Sequence, residues 1–292
     1  MNQVQALLKL LRPHQWVKNS FVLVGLLFGH AWRNGAKLEQ GAWAFVAFCL
    51  LSSAVYVFND LLDREQDRQH PKKRHRPLAS GVVGLPAALG LLGCCLVVGL
   101  GLAFTRAGEA PWVFVSYLLI NGFYTLYAKH VVVLDVFLIS AGFMLRILAG
   151  TLGLGIAPSQ WLLLCGLMLT LFLGFAKRRA ELSAVAGDPA AHRRVLEDYS
   201  EALLDQFTTV ALACTVISYS LYTVSAETVA LHGSNHLILS VPFVLYGLFR
   251  YLFLLHRRGG GGDTARDLLD PHLILAGAGW LATVLAVLLG KL

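Results

Sequence analysis

Residues 41–58 read GAWAFVAFCLLSSAVYVF, and the next nine residues, 59–67, read NDLLDREQD. The first stretch contains no charged side chain, and a helix of this length approaches the thickness of the hydrocarbon core of a bilayer. The second stretch places four carboxylates directly after it. Together they predict a transmembrane helix whose end carries an acidic group at the membrane surface.

The rest of the chain has the same apolar character. Of its 292 residues, 57% are hydrophobic and only 14% are charged, whereas soluble domains carry about 25% charged residues. A globule of this length needs a polar surface, so the composition excludes a soluble protein. We predict an all-α polytopic membrane protein, with nine transmembrane helices in a single integral membrane domain, residues 1–292. The predicted spans are 20–34, 41–58, 83–105, 111–127, 131–153, 160–176, 207–229, 235–255 and 272–290.

The cationic residues are distributed unevenly between the two sides of this arrangement. Nineteen of the 24 Lys and Arg residues fall in the N-terminal segment or in alternate connections, while Arg146 lies within a span. Because cytoplasmic loops accumulate Lys and Arg, we predict a multi-pass protein of the plasma (inner) membrane with its N-terminus inside and its C-terminus outside. Residues 59–81 and 177–206 are then cytoplasmic loops. The net charge of +7 is concentrated at one face, where it attracts anionic bilayer lipids, and predicts no nucleic-acid partner.

Three of the four carboxylates after residue 58 share one face of the predicted helix. At 100° per residue, Asp60, Asp63 and Asp67 fall within an arc of about 60°, with Asn59 beside them and Glu65 opposite. Stacked carboxylates repel one another, so such a face is costly without a cation. Oxygen ligands at this spacing suit Mg²⁺, which bridges a few carboxylates to phosphate oxygens. We therefore favour a site for a metal-bound diphosphate over an ordinary solvated helix end.

A dense cationic loop follows this acidic face. Residues 70–81 read HPKKRHRPLASG, and they include Lys72 and Arg76. Such a loop beside a carboxylate–metal face suits a polyphosphate substrate, because Lys and Arg bind the oxygens that the metal leaves free.

These residues resemble a known family. NDLLDREQD matches the NDxxDxxxD signature of the UbiA superfamily of intramembrane prenyltransferases, and nine spans match its architecture over essentially the whole chain. The resemblance implies a UbiA-like bundle with a cytoplasm-facing central cavity, in which the first acidic motif binds Mg²⁺ and a diphosphate. In that family a second acidic motif, usually DxxxD, follows the sixth span.

The sequence departs from the superfamily at this second position. Residues 174–182 read GFAKRRAEL, in which only Glu181 could replace the paired aspartates and three cations precede it. With RPHQWVKN at residues 12–19 and HPxKxxRPLASG at 70–81, the chain resembles the decaprenyl-phosphate phosphoribosyltransferase branch. This resemblance implies transfer of a 5-phosphoribosyl group from phosphoribosyl diphosphate to a polyprenyl (decaprenyl) phosphate, a step towards lipid-linked pentose donors for cell-envelope glycan.

The roles of individual residues follow as hypotheses. Asp60, Asp63 and Asp67 would hold the Mg²⁺–diphosphate, assisted by Asn59, as the lipid phosphate attacks C1 of the ribose. The cations predicted to share the sugar phosphate and the lipid phosphate are Lys18, Lys72, Arg76, Lys129, Lys177 and Arg178.

Several single residues have two interpretations. Tyr124 is equally a substrate contact or an interfacial anchor. Asp135, inside a span, would orient a site lysine or contact the metal. Lys177 and Glu181 have the spacing of an ordinary helical ion pair. Arg146 is either a buried structural cation bonded to carbonyl oxygens, which we prefer, or part of a lipid channel.

Two other functions compete with phosphoribosyl transfer. The acidic motif also fits a prenyltransferase that moves a prenyl chain from a prenyl diphosphate to an aromatic or other acceptor. A transporter of a phosphorylated solute is less favoured, because ionisable residues become rare away from the cytoplasmic side. The sequence leaves open whether the chain forms a homo-oligomer.

Overall fold

The computed structural model describes residues 2–71, 73–185, 194–258 and 269–292, in which helices are the regular structure. Lys72 and residues 186–193 of the predicted loop 177–206 lie outside the described residues. The α-helices are α1 (Gln3–Leu11), α2 (Val24–Phe28), α3 (Gly35–Leu62), α4 (Arg64–Gln69), α5 (Leu85–Thr105), α6 (Trp112–Leu126), α7 (Leu134–Gly150), α8 (Gln160–Val185), α9 (Glu201–Val224), α10 (Ala226–His232), α11 (Val241–Arg258) and α12 (Pro271–Leu288).

Polar side chains mark where several long helices begin. Asn34 accepts hydrogen bonds from the backbone N–H groups of Ala36 and Lys37 at the start of α3. Ser200 caps α9 and Asp270 caps α12 in the same way. These caps satisfy N–H groups that have no partner within the helix, so each apolar run begins at a defined residue.

Seven helical stretches in the described ranges are long and apolar enough to cross a membrane, as expected of an integral membrane protein. They are Gly35–Leu62, Leu85–Thr105, Leu134–Leu154, Gln160–Ser183, Glu201–Val224, His236–Arg257 and Pro271–Leu288. The 15-residue helix α6 corresponds to the fourth predicted span but is shorter. Nine spans are therefore not confirmed. Eight of the nine predicted runs overlap one of these stretches or α6, but the run 207–229 crosses a break at Ser225, where α9 ends and α10 begins.

The prediction of one continuous helix over residues 20–34 is wrong. A 3₁₀ helix runs over Pro13–Leu23, α2 is only five residues long, and His30 has a left-handed backbone conformation (φ 50°). A left-handed residue terminates an α-helix, so α2 ends before His30. Helix α2 also packs closely, because a Cβ atom on Gly25 would lie 1.8 Å from the carbonyl oxygen of Gly150. Backbone therefore touches backbone here. We refer to Pro13–Leu23 as the N-terminal 3₁₀ segment.

The chain divides into two compact units. The first comprises Met1–Lys129 and Ala141–Ala157, and the second comprises His130–Ser140 and Pro158–Leu292, so that α7 contributes residues to both. In the core of the first unit, the ring of Phe48 packs against those of Phe114 and Tyr117. In the second, Phe172 packs against Tyr251. A single domain over residues 1–292 stays a prediction.

Candidate active site

The acidic motif lies at a break between two helices of the first unit. Helix α3 ends at Leu62, Asp63 has a non-helical conformation (φ −87°, ψ 5°), and α4 begins at Arg64. The prediction of one continuous helix through residues 59–67 is therefore wrong. The side chains of Asp60 and Asp67 are nevertheless both buried, at 3% and 5% exposure, whereas that of Asp63 is 33% exposed.

Two arginines hold the buried carboxylates. Arg12 Nη2 lies 2.6 Å from Asp60 Oδ1. Arg76 Nη1 lies 3.1 Å from the same oxygen and 2.7 Å from Asp67 Oδ2. Hydrogen bonds between ionised partners are about twice as strong as neutral ones. A single guanidinium nitrogen of Arg76 therefore joins two carboxylates that are seven positions apart in the chain.

The half-buried carboxylate of Asp63 and the amide of Asn59 have partners near the end of α6. Lys129 Nζ lies 3.1 Å from Asp63 Oδ1, and Thr125 Oγ1 donates to Asn59 Oδ1 at 2.6 Å. The structure thus brings together, within the first unit, one amide, three carboxylates and three cations from distant parts of the chain. We call this set the acidic centre: Asn59, Asp60, Asp63, Asp67, Arg12, Arg76 and Lys129.

Sequence reasoning missed two of the contacting residues. Arg12 belongs to the RPHQWVKN stretch, from which only Lys18 is predicted as a site residue. Arg12 has a left-handed conformation (φ 53°), and its guanidinium also lies 4.8 Å from the ring of Tyr56. Thr125 is less conspicuous in the sequence than Arg12, because it stands within the apolar helix α6, one turn before Lys129.

The donor set of the acidic centre fits a Mg²⁺ ion bound by two carboxylates. One oxygen of Asp60 and one of Asp67 converge to within 3.1 Å of a single cationic nitrogen. Protein sites for Mg²⁺ commonly use one or two carboxylates together with waters and substrate phosphates. No three His, Cys, Asp or Glu side chains in the described parts of the chain form a metal-binding group, so Asp63 as a third ligand stays a prediction.

A second cluster of predicted residues lies within the second unit. Arg178 Nε lies 2.7 Å from Asp135 Oδ2, and Arg178 also pairs with Glu181. The side chains of Arg178 and Asp135 are 2% and 0% exposed. Tyr199 donates its hydroxyl hydrogen to Asp135 Oδ1 at 3.1 Å. We call Asp135, Arg178, Glu181 and Tyr199 the Arg178 cluster.

The surroundings of Tyr199 affect its ionisation and the backbone beside it. Burial raises the pKa of the Tyr199 phenol to about 12, and the charge of Asp135 acts in the same direction. The Tyr199 hydroxyl also accepts a hydrogen bond from the backbone N–H of Val133 at 2.6 Å. Val133 has a φ of 67°, which is strained for a β-branched residue. The cluster thus holds the turn that precedes α7.

The remaining predicted site residues are placed as follows. Lys18 is half-buried on the N-terminal 3₁₀ segment, Tyr124 is half-buried on α6, and Lys177 is exposed on α8. Helix α8 continues through Lys177, Arg178 and Glu181 to Val185, so this part of the predicted loop 177–206 is helical.

Residues 20–269 match the UbiA prenyltransferase family. The chain belongs to this family. The prediction that the chain is a transferase of the UbiA superfamily is confirmed by this match. The predicted all-α class is confirmed for the described residues, whose regular structure is helical.

Curated UbiA relatives resemble the chain over nearly its whole length. A decaprenyl-phosphate phosphoribosyltransferase from Corynebacterium glutamicum is 35% identical over 285 residues, covering 96% of this chain and 86% of that protein. An enzyme of the same name from Mycobacterium tuberculosis is 33% identical over 287 residues, covering 97% and 94%. Among solved structures, a UbiA homolog from Archaeoglobus fulgidus bound to GPP and Mg²⁺ has a TM-score of 0.71 at 19% identity, covering 97% and 99%. This likeness shows the fold alone.

Proposed function

We propose that the protein transfers a 5-phosphoribosyl group from phosphoribosyl diphosphate to a polyprenyl phosphate, with release of diphosphate and dependence on Mg²⁺. Similarity at 33–35% identity over nearly the whole chain, to enzymes that bear the name of this activity, carries the proposal. The acidic centre supports it, because it combines carboxylates suited to a metal ion with cations suited to phosphate oxygens.

In the proposed reaction the bond between C1 of the ribose and the diphosphate breaks. A bond forms between C1 and an oxygen of the lipid phosphate, which is already ionised and needs no general base. Asp60, Asp63 and Asp67, assisted by Asn59, would hold the Mg²⁺ ion, which when bound neutralises charge on the leaving diphosphate. Arg12 and Arg76 would bind diphosphate oxygens beside the ion.

Other cations would bind the two remaining anionic groups, the sugar phosphate and the lipid phosphate. We assign Lys18, Lys72, Lys129 and Lys177 to them, with Tyr124 as a further substrate contact. Arg178 is fully buried between Asp135 and Glu181, so its own part in phosphate binding stays a prediction. The excess of cations over a single acidic motif favours a substrate pair with several phosphates.

The substrates suggest where the reaction takes place. A charged donor reaches the enzyme from the aqueous phase, whereas a polyprenyl chain stays in the bilayer. We propose that the acidic centre faces the cytoplasm at the plasma membrane, with the N-terminus inside and the C-terminus outside. The nine crossings and the cytoplasm-facing central cavity that the family resemblance implies stay predictions.

A second candidate is transfer of a prenyl chain from a prenyl diphosphate to an aromatic or other acceptor. Membership of the UbiA prenyltransferase family favours it. The three cations at residues 177–179, where the superfamily usually carries a second acidic motif, argue against it.

One assay separates the two candidates. Protein purified in detergent is incubated with Mg²⁺, decaprenyl phosphate and phosphoribosyl diphosphate labelled in the ribose, and the chloroform-soluble label is measured. A parallel reaction contains labelled prenyl diphosphate and an aromatic acid. We expect labelled phosphoribosyl lipid in the first reaction and no labelled prenylated acid in the second. Product only in the second reaction would reject phosphoribosyl transfer in favour of prenyl transfer.

A further inference from the structure

Arg146 is a buried cation in the second half of α7, within the first unit. Its side chain is 6% exposed. Its guanidinium donates to Asn19 Oδ1 at 2.8 Å, to the carbonyl oxygen of Gly142 at 2.7 Å and to the Tyr117 hydroxyl at 3.2 Å. It also lies 4.7 Å from the ring of Tyr117 and 5.3 Å from that of Phe48. Within the described residues these hydrogen-bond partners are all neutral oxygens.

Asn19 links Arg146 to α3, because its side chain contacts both. Its side chain is fully buried, and its Nδ2 atom lies 3.3 Å from Cys49 Sγ and 3.4 Å from Ser52 Oγ. One turn earlier in the N-terminal 3₁₀ segment, Trp16 Nε1 donates to Ser53 Oγ at 3.0 Å. Arg146 and Asn19 therefore tie this segment to two helices at once.

Close backbone packing fixes the position of the N-terminal 3₁₀ segment along α7. A Cβ atom on Gly150, one turn after Arg146, would lie 1.7 Å from the carbonyl oxygen of Val22. Such an approach leaves no room for the segment to rotate or slide past α7.

The N-terminal 3₁₀ segment has an unusual backbone conformation. It continues in 3₁₀ geometry for 11 residues, whereas 3₁₀ runs longer than three or four residues are uncommon. Arg12, directly before it, is left-handed and contacts Asp60, and Lys18 lies on it next to Asn19. Long 3₁₀ geometry and a strained residue persist only where the surroundings impose them.

We propose that Arg146 is a positioning residue that holds the N-terminal 3₁₀ segment, and through it Arg12 and Lys18, in register with Asp60. This inference rests on the proposed function only for the substrate used to measure its kinetic effect. Arg146 acts through Asn19 and touches no substrate.

Spin-label distances test the register directly. Labels are attached to Val17→Cys and Leu62→Cys, both exposed sites, after the native Cys94 and Cys214 have been replaced by alanine. In Arg146→Met we expect the distribution of distances between the two labels to broaden. In Arg146→Lys, which keeps the positive charge, we expect this distribution to broaden less. Asn121→Ala is the matched control, because among the described residues the Asn121 side chain bonds only to the backbone carbonyl of Tyr117 in its own helix α6. It should leave the distribution unchanged.

Kinetics provide the second measurement. Displacement of Arg12 and Lys18 should raise the KM for phosphoribosyl diphosphate and lower kcat/KM by about 100-fold in Arg146→Met. A purely structural role would reduce the active fraction and leave KM unchanged. Asn19→Ala should resemble Arg146→Met, and the two changes together should add little.

An unchanged distance distribution together with an unchanged KM, in Arg146→Met or in Asn19→Ala if the first variant does not fold, would overturn the proposal. The distance measurement does not depend on the reaction. If the wild type transfers prenyl rather than phosphoribosyl groups, the proposed function fails, and broadening in Arg146→Met still supports positioning.

Discussion

The guanidinium of Arg12 lies 2.6 Å from the buried carboxylate of Asp60, although 48 residues separate the two in the chain. The backbone of Arg12 is left-handed at the start of the N-terminal 3₁₀ segment. The contact joins Arg12, whose backbone conformation is strained, to Asp60, the carboxylate that both arginines of the acidic centre contact.

Replacement of Arg12 by Gln should weaken binding of the donor. We expect KM for phosphoribosyl diphosphate to rise about 10-fold to 100-fold, because a charge-assisted contact to phosphate is lost. Arg12→Lys should recover part of the loss, since lysine keeps the charge without the planar fork. Lys9→Gln, an exposed cation in the last turn of α1, is the control and should leave KM unchanged. Equal KM values for all variants would remove Arg12 from the site.

Asp60→Asn and Asp67→Asn should each reduce kcat/KM by at least about 100-fold. Each change removes an ionised oxygen from the pair that converges on Arg76 while keeping the size of the side chain. Initial rates are measured at matched protein levels in membranes. Glu65→Gln is the matched control, because Glu65 is 72% exposed and pairs only with Arg68 among the described residues. Normal rates in Asp60→Asn would contradict the metal assignment.

Removal of divalent cations should stop transfer, and added Mg²⁺ should restore it. A chelator is applied to the purified protein and the rate is followed during titration with Mg²⁺. Binding is measured separately by electron paramagnetic resonance with Mn²⁺ as the probe. Asp60→Asn should weaken Mn²⁺ binding whereas Glu65→Gln should not. Full activity in excess chelator would show that the acidic centre works through its cations alone.

Asp135→Asn should destabilise the second unit. The change leaves the guanidinium of Arg178 buried with one carboxylate fewer, at a cost of about 3 kcal/mol in the free energy of unfolding. Thermal unfolding in detergent measures the effect. Glu201→Gln is the comparison, because the Glu201 side chain is 55% exposed and Arg179 keeps a second carboxylate partner, Asp205, so the loss of this pair should cost little. Equal melting temperatures for Asp135→Asn and the wild type would contradict the structural role of the Arg178 cluster.

We predict that ionisation of the Tyr199 phenol lowers the stability of the folded protein in alkali. Its pKa of about 12 in the folded protein exceeds the ordinary value of 10. The neutral phenol therefore contributes fully below pH 10, and this contribution is lost as the pH rises towards 12. Thermal unfolding between pH 8 and pH 11.5 should show a steeper decline for the wild type than for Tyr199→Phe. Parallel curves would show that Tyr199 ionises as readily in the folded protein as in the unfolded one.

Sequence reasoning predicted the membrane class, most of the helices and the chemistry of the acidic motif. Long apolar runs have few alternatives in a bilayer, where every backbone polar group needs a partner, so α3, α5 and α8 follow from composition and length. The NDLLDREQD motif likewise predicts Asp60, Asp63 and Asp67 as metal ligands by the type and spacing of its residues, and that role stays a prediction. These features depend on residues close together in the chain.

Tertiary structure alone decided how the carboxylates are arranged and which cations reach them. The break at Asp63, the 3₁₀ geometry of Pro13–Leu23 and the pairing of Arg12 with Asp60 depend on contacts between distant segments. The apolar pattern of residues 20–34 suggests one helix, but the 3₁₀ geometry up to Leu23 and the left-handed His30 interrupt it where Gly25 packs directly against Gly150. Local sequence specifies which groups are available, whereas packing against remote residues selects the conformation in which those groups meet.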